Sequence, residues 1–261
     1  MKLSFIIPAH NEENYISNCL DSITRESQGK NYCLETIVVN NASTDQTEKI
    51  VSRYPWVTIV EEPKKGLARA RQAGFLASTG DLVANIDADT ILPPGWIDTV
   101  LQEFSDNKKL VALSGPHIFY GVPKTVNYWG QFFYCISFIT YVVNRFVLRI
   151  SSVIQGGNFV VRRSALEHIG GYNATFQFYG EDADLAHRLH KIGHVKFTFK
   201  LPIYASGRRL VAEGKFTTAF RYIINYVWAV FTGRPLTTTA LDIRLADGGS
   251  TAASLTKTIK L

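Results

Sequence analysis

Two short acidic clusters carry the strongest chemical signal in this sequence: Asp87 and Asp89 in NIDADT, and Glu181, Asp182 and Asp184 in YGEDADL. The hard carboxylate oxygens of the first suit Mg²⁺ or Mn²⁺, ions that take one or two carboxylates from a protein and fill the rest of their shell with water and phosphate. A carboxylate of the second, at a helix start facing a cleft, suits a general base. Each cluster alone has an ordinary explanation. A D-x-D is common in solvated turns, and acids in a first helical turn are favoured by capping and by the helix dipole. Together they describe a clamp for a metal-bound diphosphate with a base beside it.

For that chemistry both clusters must reach one edge of a sheet. DLVANI is an apolar run of strand length after the turn signal STG, and the prolines of DADTILPPGW stop it, so Asp87 and Asp89 stand at a strand's carboxyl end. Open α/β sheets bind their ligands there. Extension through DAD would point both side chains the same way, toward one ion. In EDADLAHRLHKIGHV, Leu185, Leu189 and Ile192 form one helical stripe, and Gly193 is the expected C-cap. Upstream, LSFIIPA, LETIVVN and TIVEE alternate with helical stretches beginning near Glu12, Asp45 and Gly66. This is the β/α alternation of a mostly parallel sheet, so the expected fold class is α/β. The turns IIPAHNEENY, VNNASTDQT and EEPKKGLARARQ would open on the same edge as Asp87. Neither G-x-G-x-x-G nor a Walker loop follows the first strand, which removes the main support for dinucleotide or P-loop binding.

These motifs, collinear from about Leu3 to about Phe199, resemble glycosyltransferase family 2 enzymes with the GT-A fold, a Rossmann-like, mostly parallel mixed sheet flanked by helices. The resemblance implies that Pro8, Ala9, Asn11 and Glu12 line a nucleoside pocket, that Asn41 reads the base, and that Gly66 and Arg71 border the donor. It implies that Asp87 and Asp89 hold Mg²⁺ or Mn²⁺ on a sugar-nucleotide diphosphate, and that Asp182 is the catalytic base with Glu181 beside it. GGNFVVRRSALEHIGGYNATF resembles the family's acceptor-side strand and helix. The departure is VNNASTD, where the family more usually has a pair of Asp residues followed by Gly. Asn41 can still pair with an imide edge through its acceptor oxygen and donor NH₂, without the charge of an aspartate. The implied reaction is inverting transfer of a sugar from a nucleoside diphosphate to a hydroxyl, on a glycan or lipid-linked acceptor. A non-catalytic sugar-nucleotide or glycan-binding protein on the same fold is the alternative.

Composition bounds this reading. With 261 residues, 46% of them hydrophobic, the chain can bury one large core or two small lobes. Cys19, Cys33 and Cys135 make no C-x-x-C pair, and His187 with His190, the nearest thing to a ligand pair, has no third partner, so neither a disulfide framework nor a zinc site is indicated. His117, in LSGPHIFY, is the histidine able to approach the metal or acceptor, although packing alone is the commoner fate of such a residue. A net charge of +6 raises nucleic-acid binding, but no helix-turn-helix, zinc finger or RNP-like motif accompanies it.

Thr125 to Asn144 carries no formal charge and is long enough to cross a bilayer. One span there would put Asp89 and Asp182 on opposite sides, so the stretch from 125 to 150 is expected to be an interfacial or acceptor-lobe helix with Asn127, Gln131 and Asn144 on its polar side. Past residue 205, Arg208, Arg209 and closely spaced aromatics read either as a second interfacial element or as a buried helix with a few surface arginines, and the two arginines are candidates for acceptor or phosphate contacts. The expected organisation is a catalytic domain over 1–205, divided at 116 into donor and acceptor halves, a basic aromatic extension over 206–245 and a disordered tail over 246–261. The expected location is the cytoplasm, peripheral on an anionic membrane face, since the amino terminus is too short in apolar residues for a signal peptide.

Overall fold

The computed structural model describes residues 1–143, 152–176 and 180–214, together with 217, 220, 221, 224, 225 and 228. The expectations for Asn144, for the middle of the FQFYG loop, for most of 216–245 and for the tail lie outside the described residues.

A seven-stranded sheet forms the centre, in the order β3-β2-β1-β4-β8-β6-β9. Its strands are β1 (Leu3–Ala9), β2 (Leu34–Asn40), β3 (Val57–Glu61), β4 (Leu82–Ile86), β6 (Leu110–Ser114), β8 (Asn158–Arg162) and β9 (His194–Phe197). β1 to β4 run parallel, β8 is antiparallel to both its neighbours, and β9 is parallel to β6. The three strands β5 (Thr90–Ile91), β7 (His117–Tyr120) and β10 (Ile203–Ser206) make a small second sheet in the order β5-β10-β7. This is the expected α/β architecture. The runs LSFIIPA and LETIVVN coincide with β1 and β2, while TIVEE is shifted one residue toward the carboxyl terminus relative to β3.

Strand alternation explains the two cores. Leu3, Phe5 and Ile7 of β1 face α1 (Ile16–Ser27) and α4 (Trp96–Asp106), where they join Leu20, Ile23, Trp96 and Phe104. Ile6, between them, faces the other layer with Ala70 and Phe75 of α3 (Leu67–Ala77), Leu166 of α6 (Arg163–His168) and Leu185 and Leu189 of α7 (Glu181–His190). A strand covered on both faces must be apolar at nearly every position, as β1 is. Gly74 lets α3 lie close on the sheet, since a Cβ there would meet Ile6 and Val39.

Two local expectations are corrected. α7 ends at His190, and Ile192 lies past it, 36% exposed rather than on the buried stripe with Leu185 and Leu189. α5 (Lys124–Val142) turns its amides toward the protein. Among the described residues, β7 is an edge strand that pairs with β10 on one side only. Asn127 accepts from the Phe119 N–H at 2.8 Å and donates to the Phe119 carbonyl, and Gln131 donates to the His117 carbonyl at 3.4 Å. Covering the edge in this way satisfies backbone groups that would otherwise remain open to pairing. Tyr134, Phe138 and Tyr141 pack inward against Phe197 and Phe199. Tyr128, Trp129, Phe132, Ile136 and Ile139 are left exposed. No described helix is long and apolar enough to cross a membrane. The short helices α2 (Thr47–Val51) and α8 (Arg208–Ala212) complete the described elements.

Candidate functional site

The carboxyl ends of β1, β2 and β4 open on one side of the sheet and carry the first group of candidate residues. The turn after β1 is locked to the turn after β2. Asn11, at a left-handed φ of 54°, accepts from the Thr44 N–H at 2.7 Å, and its own N–H donates to Ser43 Oγ at 3.2 Å. Asparagine tolerates this conformation better than most residues. The Glu12 N–H donates to Thr47 Oγ1 at 2.8 Å. The Ala9 carbonyl accepts from the Asn41 N–H at 2.7 Å, and Pro8 lies opposite Val39 in the ladder.

Asn41 is buried and its side chain is already engaged. Its NH₂ donates to the carbonyls of Glu62 and Lys64, both at 2.9 Å, and its oxygen accepts from the Gly66 N–H at 2.8 Å. The amide thus shapes the pocket wall by holding the loop from β3 to α3, and both of its donors are used before any base arrives. Gly66 enters the site through this same bond. Lys64 and Lys65 stand exposed on the loop.

The DAD segment is not extended. Thr90 donates its N–H to the Asp87 carbonyl at 3.1 Å and its hydroxyl to the same oxygen at 2.7 Å, closing a turn through Ala88 and Asp89. Simple alternation therefore does not set the two carboxylates. Asp87 meets Arg71 Nη2 at 3.2 Å, whereas Asp89 Oδ2 meets Arg208 Nη2 at 3.1 Å.

Arg71 is 1% exposed, lies over the Phe159 ring at 5.2 Å, and also pairs with Glu181. It is thus the bridge that ties the first acidic cluster to the start of α7. Glu181, itself 8% exposed, is held in that bridge. Asp184 pairs along the helix with Arg188 at 2.8 Å, apart from the other acids. Asp182 remains half-buried beside the loop preceding β8. A Cβ at Gly156 would stand 3.5 Å from Asp182 Oδ2, and one at Gly157 would overlap the Asp87 carboxylate. Gly157 also has a φ of 77°, which a side chain rarely adopts. Adjacent glycines therefore let carboxylates from both clusters close on one loop. Burial raises the Asp182 carboxyl above the ordinary carboxylate range, against the lowering effects of N–H bonds from Ala183 and Gly156 and of Arg71.

Burial lowers the pKa of His117, which is 8% exposed, against the fields of Asp87 and Asp89. The site contacts that local sequence pattern did not reveal are those of Arg208. Its Nη2 lies 2.6 and 2.8 Å from the two Glu12 oxygens, and its guanidinium lies over the Tyr15 ring at 4.4 Å. Burial alone would lower its pKa, but Asp89 and Glu12 more than offset this and hold it above its usual value. Arg209 turns away to Glu213 at 2.6 Å.

The sequence profile described as glycosyl transferase family 2 matches residues 4–170, most of this site included. The chain belongs to glycosyl transferase family 2. A second profile, the N-terminal domain of galactosyltransferase, matches residues 144–206. Among curated relatives, the probable glycosyltransferase YdaM of Bacillus subtilis is 30% identical over 75% of this chain and 48% of its own length. The dolichol-phosphate mannosyltransferase of Pyrococcus furiosus is 29% identical over 85% of this chain and 62% of its own. The chain thus spans about half to three-fifths of the length of these two relatives. The fold is shared with TarS of S. aureus, residues 1–349, at TM-score 0.61 and 17% identity over 88% of this chain and 72% of that one. It is shared too with the mannosyltransferase PcManGT of Pyrobaculum calidifontis, solved with GDP-Man and Mn²⁺, at TM-score 0.60 and 21% identity over 97% and 78%. The family 2 chain therefore has the GT-A fold expected from its motifs.

The donor set of this family 2 site suits a divalent ion that arrives with phosphate. Asp87 and Asp89 offer hard oxygens from one turn, and no group of three or more His, Cys, Asp or Glu among the described residues completes a cage around them. Mg²⁺ and Mn²⁺ need only such a partial set from the protein when substrate phosphates and water supply the rest.

Proposed function

We propose that this chain is a metal-dependent, inverting glycosyltransferase that moves a sugar from a nucleoside diphosphate to an acceptor hydroxyl. The observation that carries the reading is the approach of Asp182 to Gly156 and of Asp87 to Gly157, adjacent glycines of one loop. One carboxylate is positioned to serve the leaving diphosphate and the other the incoming hydroxyl. The fold relatives support the donor class, since TarS was solved with UDP-GlcNAc and PcManGT with GDP-Man and Mn²⁺.

In this reading the Asp182 carboxylate takes the proton of the acceptor hydroxyl as its oxygen bonds to the anomeric carbon from the face opposite the phosphate. The bond from that carbon to the phosphate oxygen breaks, and its electron pair leaves on the nucleoside diphosphate. Bound at Asp87 and Asp89, Mg²⁺ or Mn²⁺ would neutralise the charge developing there. Glu181 and Arg71 hold Asp182 at the head of α7. Pro8, Ala9, Asn11, Glu12 and Gly66 form the nucleoside side of the pocket, with Asn41 fixing its wall. Arg208 is the cation on the rim available to the diphosphate.

The acceptor side supports a lipid-linked or membrane-proximal substrate, with peripheral contact to an anionic bilayer. The outward face of α5 is apolar and aromatic, and Phe220, Ile224 and Trp228 are likewise exposed at helical spacing. Aromatic residues settle at the headgroup level, and basic neighbours such as Lys124 and Arg221 attract anionic lipid.

Calorimetric titration with UDP, GDP and dTDP, each with Mn²⁺ and again with chelator, tests the donor reading. Metal-dependent binding of one nucleotide is the expected result. Binding of none of the three would overturn it.

A further inference from the structure

Arg208 and Asp89 pose a problem for any cation that must bind at the same carboxylate. One nitrogen, Nη2, serves both oxygens of Glu12 and Oδ2 of Asp89, at 2.6, 2.8 and 3.1 Å. The side chains are largely buried, at 13%, 3% and 17% exposure, so the attraction is screened far less than on an open surface. Tyr15 covers the guanidinium face. We infer that Arg208 is the site's resting cation, occupying Asp89 until a nucleoside diphosphate draws it away, so that a divalent ion binds well only together with the nucleotide. This rests on the reading of Asp87 and Asp89 as the ion's carboxylates.

The backbone around Arg208 is fixed, and its long side chain reaches from there to the carboxylates. Ser206 donates its N–H to the Asp89 carbonyl at 3.1 Å, and Gly207 donates to the Tyr120 carbonyl at 2.9 Å. β10, hydrogen-bonded to β5 and β7, thus delivers the first residue of α8 to the edge of the DAD turn. The Tyr120 hydroxyl donates to the same Asp89 carbonyl at 2.9 Å. Glu12 is equally anchored, through its N–H to Thr47 and through its carbonyl, which accepts from Tyr15 and Ile16. What can move is the long arginine side chain. A diphosphate offers a planar fork donor more oxygen and more charge than the Asp89 carboxylate does, so its arrival releases Asp89 toward the ion. An ion arriving alone must displace a guanidinium and leave it beside a new positive charge. Coupling of this kind is reciprocal, so the ion must also strengthen nucleotide binding by the same factor.

The test is a Mn²⁺ titration of the whole chain, read by loss of the free-ion EPR signal, without nucleotide and with saturating UDP or GDP. Wild type should bind Mn²⁺ weakly alone and far more tightly with the nucleotide. Arg208→Gln should raise nucleotide-free Mn²⁺ affinity by on the order of tenfold, and should shrink the gain from nucleotide. Arg208→Met, which keeps the bulk of the side chain without its charge, should shift nucleotide-free affinity the same way and covers the case in which Arg208→Gln fails to fold. Adding Asp89→Asn to either variant should remove the gained affinity. Equal nucleotide-free affinity in wild type and both variants, with nucleotide-dependent binding intact, would overturn the resting cation while sparing the metal reading. Absence of Mn²⁺ binding in every protein, even with UDP and GDP, would instead remove the metal reading and the resting cation with it.

Discussion

Arg71 and Arg208 each neutralise one aspartate of the same turn, from opposite kinds of position. Arg71 comes from α3 inside the main layer, is 1% exposed, and joins Asp87 to Glu181. Arg208 comes from the chain's far end through the small sheet, retains some exposure, and joins Asp89 to Glu12. The first pairing holds two parts of the catalytic domain together and cannot be exchanged without leaving charge buried. The second sits where a ligand's charge can replace it. One arginine therefore builds the site and the other responds to what enters it.

The sharpest way to break this comparison is to remove the inner cation. Arg71→Met should cost about 3–5 kcal/mol in denaturant unfolding, because Asp87 and Glu181 would lose a buried counter-ion. Arg208→Gln should cost well under that and keep the transition cooperative. If the two variants lost equal stability, the distinction between building and responding would fail.

The next effect lies on activity. Asp182→Asn should reduce turnover on the order of 10³-fold, with nucleotide affinity nearly unchanged. Because Asp182 must be ionised to accept a proton, the rate should fall as pH drops through its raised pKa, placing the acid limb above the range of an ordinary aspartate. Stability should respond with the opposite sign. A raised pKa means that the folded state holds this proton more tightly than the unfolded state does. Ionised Asp182 therefore costs stability above that pKa, and the cost disappears as acid protonates it. The Asn variant should melt higher than wild type at pH 8, with the gap closing toward pH 4. An unchanged rate would dismiss Asp182 as the base, and a lower melting temperature at pH 8 would contradict its unfavourable burial.

How much of this was legible in sequence depends on whether the cause was local. β1, β2 and β4 were readable because strands covered on both faces need long apolar runs, and LSFIIPA, LETIVVN and DLVANI supply them. Ile192 falls outside α7 because a helical stripe does not announce where backbone bonding stops. The orientation of α5 was unreadable in principle: whether Asn127 faces water depends on the open edge of β7, which exists only once β10 has paired on its other side. Asp87 and Asp89 were identifiable as a pair, yet the turn closed by Thr90 changes how they are presented. Asn41 carries a recognisable position, but the loop carbonyls that occupy its amide lie more than twenty residues away. Sequence marks Arg208 by its charge alone. Its contact with Glu12 spans 196 positions, a separation no local pattern encodes.

The smallest expected change in stability concerns the surface on Arg208's side of the comparison. The exposed aromatics of α5 and of positions 220 and 228 contribute little to the core, so replacing Trp129 and Phe132 together with Ser should alter unfolding by only about 0.5 kcal/mol per site. The same double variant should lose retention on vesicles containing anionic lipid while still binding nucleotide with Mn²⁺. A loss of several kcal/mol would mean that these rings pack against the protein rather than present a surface. Unchanged vesicle retention would remove the membrane from the acceptor side and leave the rim arginine facing a water-borne acceptor.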